Sequence, residues 1–187
     1  MNDQFASSLL HFFKTIISPM ILTQDPSILE IGSGEYSIFE ETELEKKSIF
    51  ALDLRIRTSR KAPSGISYIA GNIVESSELS ENFYDLVFDS HCLHCLKSIE
   101  EQSDAIKNIY RVLKSDGIFA SEIMVQPTKK KVFFPHRLVC EAREIEQMIL
   151  NAGFKINYFV IVPQMNFYFD LDQGEIVCDM LRIIARK

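Results

Sequence analysis

The sequence predicts an α/β protein built on a mostly parallel β-sheet. Short apolar segments alternate with stretches of helical periodicity along most of the chain, which is typical of parallel strands covered by helices on both faces. The last two strand-like segments are separated only by a loop, so they are expected to form a hairpin whose final strand runs antiparallel to the others. A length of 187 residues, of which 47% are hydrophobic, suits one domain with one buried core.

Seven strands and four helices follow from the spacing of apolar residues and turn formers. The strands are predicted at 27–31, 48–53, 66–70, 84–88, 118–125, 154–162 and 176–185. The helices are predicted at 5–17, at 35–47, from Ser98 to the residues before Gly117, and at 144–152. Ser98 and Glu101 form a capping-box pattern, and Gly153 stands where helices commonly end. The segment 164–174 is predicted to be a loop.

The N-terminal segment 1–22 carries a Phe-rich apolar stripe at helical spacing. His11 and Lys14 interrupt its apolar run and no basic residue precedes it, so it does not resemble a secretory signal or a basic membrane anchor. We therefore expect a single domain over 1–187 in which the helix of 1–22 acts as a lid. The segment 125–140 has two prolines and no regular period, and we expect it to form a substrate loop.

The charge balance argues against nucleic acid as a partner. The formal net charge is −6, from 26 acidic and 20 basic residues, whereas a phosphate-binding surface needs clustered basic residues. The one dense basic run, 129–131, is interpreted as a solvated loop. The absence of a long apolar run predicts that no membrane is a partner. The four cysteines are expected to be reduced thiols, which favours a cytoplasmic protein.

Polar and glycine residues follow the first two predicted strands at the point where each strand ends. Glu30 precedes the turn Gly32-Ser33-Gly34, and Asp53 ends the second strand. Ligands of open α/β sheets bind beyond the carboxyl ends of the strands, where a carboxylate can accept hydrogen bonds from ribose hydroxyls. A dinucleotide-binding turn would continue with a glycine at position 37, where Ser37 stands, so a nicotinamide cofactor is less well supported.

Six segments, in order, resemble motifs of the class I methyltransferases, which have a Rossmann-like fold and use S-adenosylmethionine. The run 29–34 resembles the family's first motif, E/D-x-G-x-G, and Asp53 lies where the family's second-strand acidic residue binds ribose. The other matching segments are 71–72 after the third strand, 84–89 in the fourth, 110–119 at the entry to the fifth, and 144–154 over the late helix and its "AGF" turn.

The resemblance implies the strand order 3-2-1-4-5-7-6 with strand 7 antiparallel, and S-adenosylmethionine as the cofactor. It assigns to the cofactor a set of residues at the carboxyl ends of the first four strands: Glu30, Gly32, Ser33, Gly34, Asp53, Leu54, Asn72, Ile73, Asp89 and Ser90. The sequence departs from the family pattern at Tyr36 and Asp116, where glycine is usual, and at Asn72, where aspartate is usual.

The run His91-Cys92-Leu93-His94-Cys95 follows the fourth strand, near the expected position of the cofactor's methionine end. Its CxxC spacing with two histidines could indicate zinc, but no second pair of that kind exists to complete a tetrahedral site, so we predict no metal. His91 and His94 are the candidate catalytic residues, because an unperturbed imidazole titrates near neutral pH. His91 is the better candidate because it lies closer to the strand end.

The function predicted from these observations is methyl transfer from S-adenosylmethionine to a small-molecule acceptor. Two alternatives stay open at this point. One is a regulatory protein that binds the cofactor or a nucleotide without turnover, which the substitution at Tyr36 keeps possible. The other is an NAD-dependent oxidoreductase, against which Ser37 and the terminal hairpin argue. The sequence does not indicate the acceptor atom or the oligomeric state.

Overall fold

A single sheet of seven strands organises the part of the chain that the computed structural model describes, which is residues 9–42, 44, 48–56, 65–127, 138–170 and 174–187. The strand order is β3-β2-β1-β4-β5-β7-β6, as predicted. The strands are β1 (Ile28–Ile31), β2 (Ile49–Asp53), β3 (Ile66–Ala70), β4 (Tyr84–Asp89), β5 (Leu113–Val125), β6 (Lys155–Asp170) and β7 (Gly174–Arg186).

Strands β1 to β5 pair in parallel, and β7 lies antiparallel between β5 and β6. All four residues of β1 are buried, because both of its neighbours are strands and both of its faces are covered. That position explains why the strand is a continuous apolar run apart from Glu30. The predicted mostly parallel sheet with an antiparallel final strand is confirmed.

Two helices cover one face of the sheet, namely α1 (Ile99–Val112) and α2 (Ala142–Asn151). Leu29 and Ile31 of β1 pack on this side in a core shared with the apolar faces of both helices. Half of the predicted capping box of α1 forms, because the Ser98 hydroxyl accepts the Glu101 N–H at 3.2 Å, whereas the Glu101 carboxylate accepts the Lys97 N–H at 2.8 Å instead of that of Ser98. Gly153, at a φ of +104°, follows α2 in the conformation that its prediction as a helix end requires.

The N-terminal segment covers the opposite face. It is α-helical over 9–12, widens to a π-helical turn at Phe13–Ile17 and tightens to a 3-10 turn at Ser18–Met20. Phe13 packs edge-on against the rings of Phe39 and Phe88, so the predicted apolar stripe is part of the core over these residues. Helices therefore lie on both faces, as expected. Ile16, which stands at helical spacing from Phe12 and Phe13, is exposed and departs from the predicted stripe, and residues 1–8 lie outside the described ranges.

The helix predicted at 35–47 is wrong over its described residues, which form only a 3-10 turn at Ile38–Glu41. The Ser37 hydroxyl accepts the Phe39 N–H, and the Thr42 hydroxyl donates to the Phe39 carbonyl at 2.8 Å. These short-range bonds satisfy the turn locally and compete with a longer helix.

The late strands are longer than predicted, and residues 164–170 belong to β6 instead of a loop. A shift in the β6–β7 register between Val162 and Asn166 accommodates Pro163, so pairing continues beyond the proline to Asp170. Strand β5 likewise begins at Leu113, before the predicted start at 118.

Candidate active site

A cleft with a volume of about 220 Å³ opens at the carboxyl ends of β1, β2 and β3 and the turn after β4. This is the edge where a parallel sheet is expected to bind its ligand. The cleft is lined by several of the residues that the sequence assigned to the site, namely Gly32, Asp53, Leu54, Asn72, Ile73 and His91. Residues from four different strand ends therefore meet as predicted.

The turn after β1 depends on glycine at two positions for different reasons. Gly32 has a φ of +76°, and a Cβ added there would lie 2.7 Å from the Cβ of Cys92. Gly34 has a φ of +62°, but a Cβ added there would meet no atom within 4 Å. The first glycine therefore permits close packing against the turn after β4, and the second leaves open space beside the cleft.

We expect Gly32→Ala to lower the free energy of unfolding by about 2 kcal/mol, because both the left-handed backbone and the contact with Cys92 must be relieved. Gly34→Ala is the matched control, since it imposes the same backbone cost of about 1 kcal/mol without a clash. Urea unfolding of the two variants, followed by circular dichroism, measures the difference. Equal losses would show that the contact with Cys92 relaxes freely.

Asp53 and Asn72 hold the loops that border the cleft. The Asp53 carboxylate accepts the Gly34 N–H at 2.9 Å with one oxygen and the Arg55 N–H at 3.0 Å with the other. The Asn72 side-chain carbonyl accepts the Val74 N–H at 3.1 Å. A carboxylate has about four acceptor positions, so Asp53 retains room for hydroxyl donors. Leu54 is 68% exposed at the rim.

Three buried polar atoms near the glycine turn form no hydrogen bond of standard geometry among the described residues: Oε2 of Glu30 and the hydroxyls of Ser33 and Ser90, the last of which still lies close enough to Glu30 to lower its pKa. The other carboxylate oxygen of Glu30 accepts the Ile38 N–H at 3.2 Å. Burial raises the pKa of Glu30 to about 7, and neighbouring hydrogen-bonding groups only partly offset this rise. Unsatisfied buried polar atoms are rare in native structures, so this cluster points to a polar ligand.

Asp89, at the end of β4, is buried and holds the turn that follows it. One carboxylate oxygen accepts the N–H groups of Cys92 and Leu93 at 2.7 and 3.3 Å, and the other accepts the Ser121 hydroxyl at 2.7 Å. Burial raises the pKa of this carboxyl, while the hydrogen bonds act in the opposite direction. The structure thus places Asp89 beneath the cleft, where it shapes the turn.

The two candidate catalytic histidines occupy different environments. His91 lines the cleft with its side chain 17% exposed, and its φ of +66° is unusual for a residue with a Cβ. His94 is 1% exposed, and its Nδ1 accepts the Met124 N–H at 3.3 Å. Of the two rings, only that of His91 is therefore placed to meet a substrate.

Glu122 and Arg182 complete the cluster around His91, and the sequence analysis missed both. Oε1 of Glu122 lies 3.5 Å from Nε2 of His91, and its Oε2 accepts the Arg182 Nε–H at 2.6 Å. Burial would raise the pKa of Glu122, but the hydrogen bonds with His91 and Arg182 and their charges hold it below its usual value. A glutamate within the apolar strand β5 was the available signal, since such residues are almost never fully buried unless paired.

Cys92 and Cys95 also line the cleft, and both are thiols in this structure, as are Cys140 and Cys178. Burial raises the pKa of the Cys92 thiol well above its usual value, which disfavours a thiolate nucleophile there. Among the residues that the structure describes, no group of three or more His, Cys, Asp or Glu side chains is arranged to hold a metal ion. The prediction that no metal binds stays a prediction.

The expected substrate loop is described only at its two ends. The Gln126 N–H donates to the Cys140 carbonyl at 3.0 Å, and the Leu138 N–H donates to the His94 carbonyl at 3.1 Å. Both ends are therefore anchored beside the turn after β4. The lysine run at 129–131 and the rest of the middle of this segment lie outside the described residues. No helix in the described part of the chain is long and apolar enough to span a bilayer.

Comparison with known proteins decides the family. Residues 29–121, which run from β1 through the glycine turn to β5, match the model of a methyltransferase domain. The chain belongs to the class I S-adenosylmethionine-dependent methyltransferases. Family members use S-adenosylmethionine as methyl donor, and this chain is an enzyme of that kind. None of the curated proteins matches it.

Solved structures show the same fold at low sequence identity. A SAM-dependent methyltransferase from Methanosarcina mazei is 17% identical with a TM-score of 0.66, over 92% of this chain and 97% of that one. An N1-methyltransferase from Burkholderia thailandensis, with bound 1,6-didemethyltoxoflavin and S-adenosylhomocysteine, is 17% identical with a TM-score of 0.63, over 99% and 88%. The cyclase SpnF is 14% identical with a TM-score of 0.73, over 97% and 80%.

The methyltransferase site suits S-adenosylmethionine chemically. Oε2 of Glu30 and the hydroxyls of Ser33 and Ser90, which lack a hydrogen bond of standard geometry within the described residues, match a ligand that carries an ammonium and a carboxylate. Tyr36, which replaces the family's third glycine, is half exposed and is not among the described residues that line the cleft, so it does not block it. The cleft is smaller than the roughly 300–1,000 Å³ of most ligand pockets, and it opens to solvent beside the exposed Leu54.

Proposed function

We propose that this methyltransferase methylates a small-molecule acceptor that binds beside His91. The observation that supports this proposal is the recessed position of His91. Its side chain is 17% exposed, and that of Glu122, which lies behind it, is 0% exposed. A compact acceptor can enter such a recess, whereas a macromolecule would have to present a protruding group. The Burkholderia enzyme, which shares the fold, holds a small molecule together with the cofactor product.

The proposed cofactor pose follows the strand ends. Asp53 receives the ribose hydroxyls, Asn72 and Ile73 border the adenine, and Leu54 covers the nucleoside from the rim. The polar end of the methionine group binds to Glu30, Ser33 and Ser90, near the turn formed by Gly32 and Gly34. Asp89 supports this pose from beneath, because its carboxylate bonds to the turn after β4. This arrangement uses every residue of the predicted cofactor set.

The chemistry that S-adenosylmethionine supplies when bound is an activated methyl group on a sulfonium. The protein's own contribution is position and proton handling. Holding the acceptor in line with the methyl group can supply about 7–11 kcal/mol of the barrier. His91 takes the acceptor's proton, while His94 supports the turn because its ring is buried and its Nδ1 already accepts a backbone N–H.

The N-terminal segment and the segment 125–140 together cover the acceptor, in this proposal. Phe12 packs 5.1 Å from the Arg182 guanidinium, which places the N-terminal segment against the His91 cluster. The anchored ends of the segment 125–140 lie beside His94. Such cover excludes water from the reacting groups. A cytoplasmic location also stays a proposal, supported by the free thiols.

Isothermal titration with S-adenosylhomocysteine tests the cofactor site. We expect Asp53→Ala to lose about 1.5–3 kcal/mol of binding free energy, the usual contribution of hydrogen bonds to a charged group. Asp104→Ala is the matched control, because it removes an exposed carboxylate on α1 that pairs with Lys107 and does not line the cleft. Equal affinities in both variants would remove Asp53 from the cofactor site.

The same titration separates the alternatives. Binding of S-adenosylmethionine and of its product, with no binding of NAD, supports the methyltransferase over the oxidoreductase. Binding without transfer to any acceptor was the expectation for a regulatory protein, and the family match favours an enzyme instead.

A further inference from the structure

A chain of three polar side chains runs from the covered face of the sheet into the cleft. Arg182 of β7 donates from Nε to Glu122 of β5 at 2.6 Å, and Glu122 lies 3.5 Å from Nε2 of His91. We propose that the Glu122–Arg182 pair positions His91 as the base, and that the acceptor is therefore a nucleophile with a proton to lose, such as an O–H or N–H group. This inference rests on the proposed function.

The burial of Glu122 and Arg182 indicates a role other than stability. Glu122 is 0% exposed and Arg182 is 17% exposed at the side chain. Well-packed apolar residues commonly replace a buried ion pair with no loss of stability, because desolvation of the charges offsets most of their attraction. Here the second carboxylate oxygen of the buried pair lies 3.5 Å from His91, so we expect the pair to act on His91.

The backbone of His91 is held independently in an unfavourable conformation. Its φ of +66° is sparsely populated by residues with a side chain, and such conformations concentrate at functional sites. The two N–H groups that follow it, of Cys92 and Leu93, bond to Asp89, and its carbonyl accepts the Cys95 thiol at 3.4 Å. The ring is thus fixed from both the backbone and the Glu122 side.

The contact with Glu122 selects one tautomer of neutral His91. The carboxylate can only accept, so Nε2 carries the hydrogen and Nδ1 keeps the lone pair. The separation of 3.5 Å is long for a hydrogen bond, and such contacts often shorten once ligands bind. The Phe12 ring lies 5.1 Å from the Arg182 guanidinium, so it shields the Glu122–Arg182 pair on the side that the N-terminal segment covers.

The reaction step balances with these groups alone. The acceptor's lone pair forms the new bond to the methyl carbon, and the methyl–sulfur bond breaks with its electron pair staying on sulfur. The acceptor's proton passes to Nδ1 of His91, whose positive charge then faces the Glu122 carboxylate. An acceptor with no proton to lose, such as a thioether or a tertiary amine, gains nothing from this arrangement.

Nuclear magnetic resonance of ¹⁵N-histidine-labelled protein, with saturating S-adenosylhomocysteine, tests the positioning role. We expect an Nε2–H proton of His91 that is protected from exchange, and its loss in Glu122→Gln, because the single carbonyl of glutamine accepts from Arg182 and leaves its amide, which only donates, facing His91. The double variant Glu122→Met with Arg182→Met is a second probe, because it removes the acceptor without leaving a buried charge unpaired. Asp85→Asn is the matched control, since it removes a half-buried carboxylate that pairs with Lys114 away from the cleft.

Retention of the protected proton in both Glu122 variants, or a wild-type His91 protonated at Nδ1 instead, would overturn the inference. Failure of S-adenosylhomocysteine to bind in calorimetry would instead overturn the proposed function, so the two are distinguishable. With methyl-labelled S-adenosylmethionine, we expect label on O–H or N–H acceptors, with kcat at least tenfold lower in Glu122→Gln and an unchanged KM for the donor. Label on a thioether or tertiary amine would contradict the acceptor class.

Discussion

Replacement of Asp89 by alanine is expected to lower the free energy of unfolding by about 3–5 kcal/mol, since several buried donors lose a charged acceptor at once. The carboxylate accepts the N–H groups of Cys92 and Leu93, in the turn that carries His91, and the hydroxyl of Ser121; the bonds from Leu93 and Ser121 are buried and the bond from Cys92 is partly buried. Water cannot replace it without opening the turn. Urea unfolding at neutral pH, followed by circular dichroism, measures the loss.

Asp89→Asn is the control that separates shape from charge. The asparagine carbonyl can accept the two N–H groups and its amide can donate to Ser121, which keeps every bond satisfied. Because burial disfavours the charged form of this carboxyl and raises its pKa, the neutral amide is expected to cost less stability than alanine. A transition midpoint for Asp89→Ala equal to that of the wild type would show that the turn is held by other contacts.

The free energy of unfolding is expected to fall by about 3 kcal/mol between pH 4.5 and pH 7 because of Glu30 alone. Its pKa rises from 4.5 to about 7 in the folded state through burial. In this interval the folded state holds the proton and the unfolded state does not, so each pH unit costs about 1.4 kcal/mol of stability. The stabilisation that comes from the protonated Glu30 side chain is fully present below pH 4.5 and is lost above pH 7.

Glu30→Gln isolates this dependence, since glutamine does not titrate and has nearly the same shape. The difference in unfolding free energy between wild type and variant, measured at several pH values, is expected to slope over pH 4.5–7 and to be flat above. A difference that stays constant over the whole range would show that Glu30 is solvated in the folded protein. Saturating S-adenosylmethionine should flatten the slope, if its ammonium stabilises the charged carboxylate.

The sheet could be predicted from the sequence because each strand is a short local pattern and the connections restrict their order. The hairpin followed from two strands with no helix between them. The helix at 35–47 could not be excluded in this way, since its apolar spacing is compatible with a helix and local bonds around Ser37 and Thr42 decide against it. The register shift that lets β6 continue beyond Pro163 depends on pairing with β7, which no local sequence pattern indicates.

The residues of the cleft could be predicted from the sequence where they stand at the ends of strands. Gly32, Asp53, Asn72 and His91 all follow directly from strand positions, and the structure brings them together. Glu122 and Arg182 were missed because their pairing joins strands that are distant in sequence. Their significance arises from the antiparallel register that sets Glu122 opposite Arg182. The different burial of His91 and His94 likewise depends on packing around the turn.

The position of β7 has a consequence for the synthesis of the chain. It is the last of the seven strands to leave the ribosome, yet it lies between β5 and β6. Until residues 174–186 emerge, one edge of β5 stays open and β6 has no neighbour to pair with. Open strand edges recruit other chains. Between the synthesis of β5 and that of β7, the nascent protein therefore carries open edges at β5 and then at β6, and a message truncated within the final strand would yield an aggregation-prone product instead of a weakened enzyme.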